Sequence, residues 1–281
     1  MHVASLHRFP VKGLAGESLD AIDLAPGAGV PDDRRFAILR GDTAFDPASP
    51  RWVAKEKCVM LVRDHALARI RLRWDPAARV LALSAPGADP LEASLATDDG
   101  RARAADYVAR IAEPKGGAPR LVEAGAMSFT DVPENCVSIV GQASIDALSA
   151  ATGHALHPMR FRANVYLEGG APFEEFGWLG REVALGGVVV RPFARIPRCA
   201  ATSVDPDTAE RDVTVPKAIK QHFGHVDMGV YAEVLRGGRV ATGDRVAPPT
   251  ETRTGGDGRL ASTLRTIRLY LRQGLVLARR R

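Results

Sequence analysis

The residues Leu67 to Trp74 alternate strictly, with Ile70, Leu72 and Trp74 on one face and Arg69, Arg71 and Arg73 on the other. Asp75-Pro76 then turns the chain into a second apolar run, Val80 to Leu83. A period of two, broken by a turn and resumed, is the pattern of a half-buried antiparallel hairpin. It recurs along the chain. Ser18 to Ala25 and Arg35 to Arg40 read as strands separated by the turn Pro26 to Pro31, and strand-like runs follow at Val137–Val140, Asn164–Leu167, Glu182–Leu185 and Val188–Arg191. Gly186-Gly187 joins the last two as a tight hairpin, and Gly237-Gly238 predicts another between Val230–Leu235 and Arg239–Ala241. Ahead of residue 251, helical spacing is seen at Ala104–Ile111, stopped by Pro114 and Gly116-Gly117, and at Gln142–Ala151, capped by Gly153. Many short strands and few helices predict a mainly β, barrel-like architecture with helical decoration, an α+β class. No internal repeat is present.

A chain of 281 residues can bury a substantial core. No apolar stretch reaches the roughly 20 residues needed to span a bilayer, and Met1 to Lys12 lack the apolar core of a signal peptide, so a cytoplasmic location is expected. Cys58, Cys136 and Cys199 lie far apart, which excludes a Cys-x-x-Cys motif and a four-thiolate iron–sulfur cluster. The net charge of +5 belongs to the tail: residues 251–281 hold eight arginines against Glu251 and Asp257, leaving 30 basic and 31 acidic residues elsewhere. No nucleic-acid partner is expected from the body of the protein. Within the tail, Leu260, Leu264, Ile267, Leu271 and Leu275 keep helical spacing beside Arg265, Arg268 and Arg272. This predicts a linker and basic amphipathic helix over 251–281, whose segment 260–281 either packs on the body or contacts a partner or an anionic membrane surface.

Dinucleotide-binding, P-loop and nucleophile-elbow motifs are absent. His222 and His225 flank Phe223-Gly224 without a completing thiol or carboxylate, so they read as solvated loop histidines rather than zinc ligands. Cys199 stands out. It follows Arg198 in Arg195-Ile196-Pro197-Arg198-Cys199, where an apolar run breaks shortly before the Asp205-Pro206 turn. A guanidinium beside a thiol favours the thiolate, so this sulfur suits either a metal ligand or a nucleophile, against the plain alternative of a small core residue.

That segment, with Phe9-Pro10-Val11-Lys12-Gly13 and Arg160-Phe161-Arg162-Ala163-Asn164 in the same order, resembles the MOSC proteins. This superfamily binds the molybdenum cofactor and includes amidoxime-reducing components and bacterial hydroxylaminopurine reductases. The resemblance implies a MOSC N-terminal β-rich domain over 1–118 and a MOSC-type β-barrel domain over 119–250. It implies Cys199 as the thiolate ligand of molybdenum and a catalytic residue. Lys12 would contact the cofactor phosphate, with Gly13 standing where relatives often carry serine. Arg34, Arg162 and Asn164 would hold the pterin or phosphate; Ala163 replaces a proline frequent in relatives. Arg198 and Tyr231 would lie near the cofactor, and Asp205 would act at the catalytic site or order the following loop through an Asx turn. For Lys12 a solvated loop position, for Arg34 an ion pair with a neighbouring aspartate, and for Tyr231 a core aromatic stay open. The implied function is a cofactor-dependent oxidoreductase that reduces small N-hydroxylated compounds (amidoximes, hydroxylamines, N-hydroxylated bases). Its electrons would come from a separate donor of ferredoxin or flavoprotein type. A carrier acting through a Cys199 persulfide is the alternative.

Overall fold

The computed structural model describes residues 1–249, and the tail helix expected at 260–281 lies outside them. The chain opens with β1 (His2–Arg8), β2 (Glu17–Leu19), β3 (Ala21–Leu24) and β4 (Phe36–Leu39). The predicted hairpin is present as β5 (Arg71–Asp75) and β6 (Val80–Ala85), with Trp74 opposite Leu81, and β7 (Ala88–Ser94) extends it. Trp74 is buried while Arg71 and Arg73 meet solvent, which is the two-faced burial that alternation demands. The strand begins later than expected. His65–Arg69 is instead a 3-10 helix, led in by Asp64, whose carboxylate accepts from the Met60 amide and from Arg40.

α1 (Asp98–Ala112) starts two turns before its apolar spacing becomes visible, because Thr97 Oγ1 caps the Gly100 amide at 3.1 Å and Asp98 and Asp99 occupy the first turn. β8 (Arg120–Glu123) then returns to pair with β4. After β9 (Val137–Gly141), α2 (Gln142–Thr152) ends on Gly153 at φ +69, as its sequence predicts. β10 (Val165–Glu168), β11 (Val183–Leu185) and β12 (Val188–Pro197) follow, then α3 (Val215–Phe223), β13 (Asp227–Arg236), β14 (Gly238–Ala241) and β15 (Val246–Ala247).

Eight strands form one sheet in the order β15-β11-β12-β13-β9-β10-β1-β2, in which β9 and β10 run parallel and the other neighbours antiparallel. β1 and β2, from the first nineteen residues, are therefore part of the same sheet as the C-terminal strands. Val3, Leu6, Ile139, Val165, Val190 and Val230 supply its apolar side. A second core surrounds α1 and the β5–β7 hairpins, and it reaches Val11, Leu14, Val204 and Ala209. The loops after β1 and after β12 thus sit where the two cores meet.

Two expectations are corrected. Gly237-Gly238 does not close a hairpin, since β14 pairs with β3, Gly238 opposite Leu24. A side chain at Gly237 would lie 2.6 Å from the Leu24 carbonyl oxygen, so the glycine pair lets the chain pass onto β3. His222 lies in the last turn of α3, and His225 is half-buried against Phe173, Phe176 and Phe223; only His222 is solvated.

Gly229 within β13 has φ +80, and a Cβ there would meet the Ile139 carbonyl oxygen at 2.4 Å and Val140 Cγ2 at 2.5 Å. Gly229→Ala therefore combines left-handed strain with backbone overlap and is expected to cost about 2–4 kcal/mol. Urea unfolding of the two proteins measures the difference.

Candidate functional site: a cationic cleft beside Cys199

Cys199 leaves the end of β12 as the residue preceding the 3-10 turn Ala200–Ser203. Thr202 fixes that turn by donating its amide and its hydroxyl to the Cys199 carbonyl oxygen at 3.1 and 2.8 Å. The thiol is partly exposed, whereas Cys58 and Cys136 are buried. Burial pushes the Cys58 thiol up to about 11, with Lys12 opposing, and burial pushes Cys136 up as well. Cys199 is thus the accessible thiol among the described residues.

The cleft that Cys199 lines also has Lys12, Arg34, Arg162, Asn164, Arg198 and Tyr231 in its wall. Seven of the eight residues singled out from sequence, spread from position 12 to 231, converge there. Asp205 does not line it. Its Oδ1 accepts from the Asp207 and Thr208 amides at 2.8 and 3.0 Å, the Asx turn, and its Oδ2 accepts from Arg160 at 2.6 Å. Asp205 orders the loop, and its expected catalytic placement is corrected.

The cations of the cleft differ in how they are balanced. Lys12 is buried and donates to Asp131 at 2.6 Å and to the Phe129 carbonyl at 2.7 Å. Burial resists ionisation of Asp131, but Lys12 and Lys55 outweigh it and hold the carboxyl well below its usual range. Arg34 pairs with both oxygens of Asp33 at 2.8 and 2.6 Å, so the ion pair left open by the sequence is formed. Burial works against its charge, and Asp33 overcomes this and raises its pKa. Of the adjacent Arg34 and Arg35, only Arg34 lines the cleft, since Arg35 turns away to Asp32 and Glu123.

Arg162 and Arg198 have no carboxylate at ion-pair distance among the described residues. Arg162 donates to the Leu14 carbonyl at 2.6 Å and lies over the Phe9 ring, as does Arg34, at 4.5 and 4.3 Å from the centroid. Burial and the neighbouring Arg34 push its pKa down to about 9, against Asp33 and Asp131. Arg198 is 8% exposed and donates only to the carbonyls of Met228 and Phe161, at 2.5–2.9 Å. Burial lowers its pKa too. Guanidiniums stay charged at neutral pH, and this pair, Arg162 half-buried and Arg198 buried, with no carboxylate partner among the described residues, makes the cleft a place for an anion.

Arg162 and Asn164 do not share a strand face. Arg162 has φ +51 in the turn after the 3-10 helix Pro158–Arg160, and β10 begins only at Val165. The Asn164 amide is committed within the protein: Oδ1 accepts from the Ser138 amide and hydroxyl at 3.1 and 2.7 Å, and Nδ2 donates to the His7 carbonyl at 3.2 Å. It ties β1, β9 and β10 together. Asn164→Ala strands these groups in the core and is expected to destabilise by about 2–4 kcal/mol, read as a fall in the urea midpoint at unchanged slope.

Gly13, in place of a serine, has φ +91, and a Cβ there would stand 2.9 Å from the Val59 carbonyl oxygen. The turn thus demands glycine. Arg160 and Asp131 were not singled out from sequence. Arg160 is buried between Asp205 and Asp212, at 2.6 and 2.5 Å, and its place in the Arg160-Phe161-Arg162 segment is the one signal that could have marked it. Asp131 lies in Thr130-Asp131-Val132-Pro133, which carries no motif.

The cleft of this mainly β protein thus joins a partly exposed cysteine to two guanidiniums with no carboxylate partner among the described residues. The chain belongs to the MOSC proteins: residues 1–116 match the MOSC N-terminal beta barrel domain and residues 126–247 the MOSC domain. It is similar to mitochondrial amidoxime reducing component 2 of Bos taurus, 29% identical over 122 residues, 39% of this chain and 36% of the relative. The Homo sapiens protein of the same name is 29% identical over 41% of this chain and 37% of its own length. The matched segment thus spans little more than a third of those relatives. Among solved structures, the YUAD protein from Bacillus subtilis is 14% identical, covering 87% of this chain and 92% of its own, at a TM-score of 0.42.

Proposed function

We propose that the cleft binds the molybdenum cofactor and that the protein reduces small N-hydroxylated compounds with it, using electrons from a separate donor of ferredoxin or flavoprotein type. The observation that carries this reading is the pair Arg162 and Arg198, without a carboxylate partner among the described residues, in the same wall as the partly exposed Cys199. The fit is chemical. A phosphorylated pterin brings the negative charge that the two guanidiniums lack, and a thiolate suits a soft transition metal. When bound, the cofactor supplies a metal that exchanges two electrons with an N–O bond.

The chain's residues do the rest. Arg162 and Arg198 would hold the anionic end and Cys199 the metal. Lys12, already paired with Asp131, adds less net charge than its sequence position suggests. Asn164 holds the three strands beneath. Burial keeps Tyr231 protonated, and its hydroxyl has no hydrogen-bond partner among the described residues, so it is left as a donor in the cleft. Converting N–OH to N–H and water takes two electrons and two protons, so a protonated phenol there is useful.

Metal analysis of protein made in a cofactor-producing host, followed by reduction of an amidoxime with an artificial electron donor, tests the proposal. Bound molybdenum with turnover is expected. Metal-loaded but inert protein would overturn the reductase, and metal-free protein with sulfane sulfur on Cys199 would favour the carrier.

A further inference from the structure

Among the described residues, the one carboxylate in the wall of the cationic cleft is that of Asp131. It stands where it would repel an entering anion. Its Oδ1 accepts from Lys12 at 2.6 Å, and its Oδ2 makes no hydrogen bond among the described residues. Lys12 gives a second proton to the Phe129 carbonyl at 2.7 Å, which leaves one of an ammonium's three for a ligand.

A second ammonium lies behind this pair. Lys55 opens the 3-10 turn Lys55–Lys57 and is 9% exposed, and its buried Nζ has no hydrogen-bond partner among the described residues. Two contacts hold its segment against the cleft. The Trp52 indole donates to the carbonyl of Thr130, next to Asp131, at 2.9 Å; a Cβ on Gly13, next to Lys12, would stand 2.9 Å from the Val59 carbonyl oxygen. After Lys12, Lys55 is the cation that most favours the ionised form of Asp131. A buried ammonium without an acceptor is costly to keep, and a carboxylate turned toward it would relieve that cost.

We infer that Lys55 is the reserve partner of Asp131: an anion entering the cleft takes the Lys12 ammonium, and the Asp131 carboxylate turns from Lys12 to Lys55. The exchange moves the one negative side chain of the wall away from the anion, gives Lys55 an acceptor and frees a Lys12 proton for a charge-assisted bond. Lys55 acts on the ligand through Asp131 and is a positioning residue. The inference rests on the proposed function only for the natural ligand, the phosphate of the cofactor; the exchange itself asks for no more than an anion.

The test uses the full chain made without cofactor, with inorganic phosphate as the probe and lysine labelled with 15N at Nζ as the reporter. Phosphate is expected to shift the Lys55 ammonium resonance in wild type and to leave it in place in Asp131→Asn; Lys55→Met or Lys55→Arg assigns the signal. In calorimetric titrations, Lys55→Met is expected to weaken phosphate binding about tenfold or more. Asp131→Asn, which leaves Lys12 without a competitor, is expected to tighten it, and in that background Lys55→Met should change the affinity by less than about twofold. A Lys55 signal unmoved by phosphate in wild type overturns the inference, whether or not Asp131→Asn folds. Unchanged affinity in folded Lys55→Met does the same. So does a loss of equal size in both backgrounds, because a lysine that touched the anion, or acted by its long-range field alone, would not need Asp131. Protein that shows the exchange but holds no molybdenum when made in a cofactor-producing host upholds Lys55 as the partner of Asp131 and overturns the cofactor reading.

Discussion

Protein carrying Cys199→Ala, made in a cofactor-producing host, is expected to contain less than a tenth of the molybdenum of wild type and to show no reduction of an amidoxime above background. The effect should be the largest of any single substitution in the cleft, because no other accessible thiol among the described residues can replace the ligand. The fold should survive. Cys199 Sγ makes no hydrogen bond among the described residues, and the turn that follows is held through the Cys199 carbonyl, which alanine retains. The cost of losing one partly exposed sulfur should stay below about 1 kcal/mol, so thermal melts of the metal-free proteins should nearly coincide. Cys136→Ala gives the contrast: buried at 3% exposure, it should lower stability by leaving a small cavity and keep most of the metal. If Cys199→Ala retains its molybdenum, the thiolate assignment is wrong.

Arg162→Gln should separate binding from stability. A charged hydrogen bond to an anion contributes about 1.5–3 kcal/mol, so cofactor occupancy at limiting supply should fall by roughly ten- to a hundredfold. The stability of the cofactor-free protein should stay level or rise. The substitution gives up the bond to the Leu14 carbonyl, which water can replace at this half-buried position, and removes a charge that burial and Arg34 disfavour, as the lowered pKa of about 9 records. The pH dependence carries the same sign. A base whose folded pKa lies below its unfolded value binds fewer protons when folded, so in wild type its penalty is full below about 9 and is relieved as pH rises from there toward the higher unfolded value. Asp33→Ala should do the opposite of Arg162→Gln. It leaves Arg34 unpaired and removes the acceptor of the Phe9 amide at 2.8 Å, so stability should fall. Calorimetric melting of the cofactor-free variants compares all three. A strongly destabilised Arg162→Gln would show that this guanidinium serves the fold rather than a ligand.

The parts of the fold that were legible in the sequence are those whose cause is local. The β5–β6 hairpin announces itself by alternation around Asp75-Pro76, and α2 by its spacing and the glycine that caps it. α3 was not anticipated: Val215, Ala218, Ile219 and Phe223 keep helical spacing and pack into one core, but the run is only nine residues long with Pro216 in its first turn. β14 was assigned the wrong partner, because Gly237-Gly238 has the form of a hairpin turn and nothing nearby in sequence reports β3 some two hundred residues earlier. The cleft shows the same division. Its motif residues could be named, but Asn164 had the look of a ligand-reading amide, and only its bonds to Ser138 and His7 show that it serves the sheet.

By itself the sequence determined the class of fold, the family and which thiol and which basic residues to examine, because period, turn chemistry and motif are properties of neighbouring residues. The tertiary structure alone decided which of those cations are neutralised and which are left charged. Lys12 meets Asp131 and Arg160 meets Asp205 and Asp212, while no carboxylate reaches Arg162 or Arg198 among the described residues. Charge balance in a buried site depends on distances of a few ångströms between residues far apart in the chain, and only packing sets those distances.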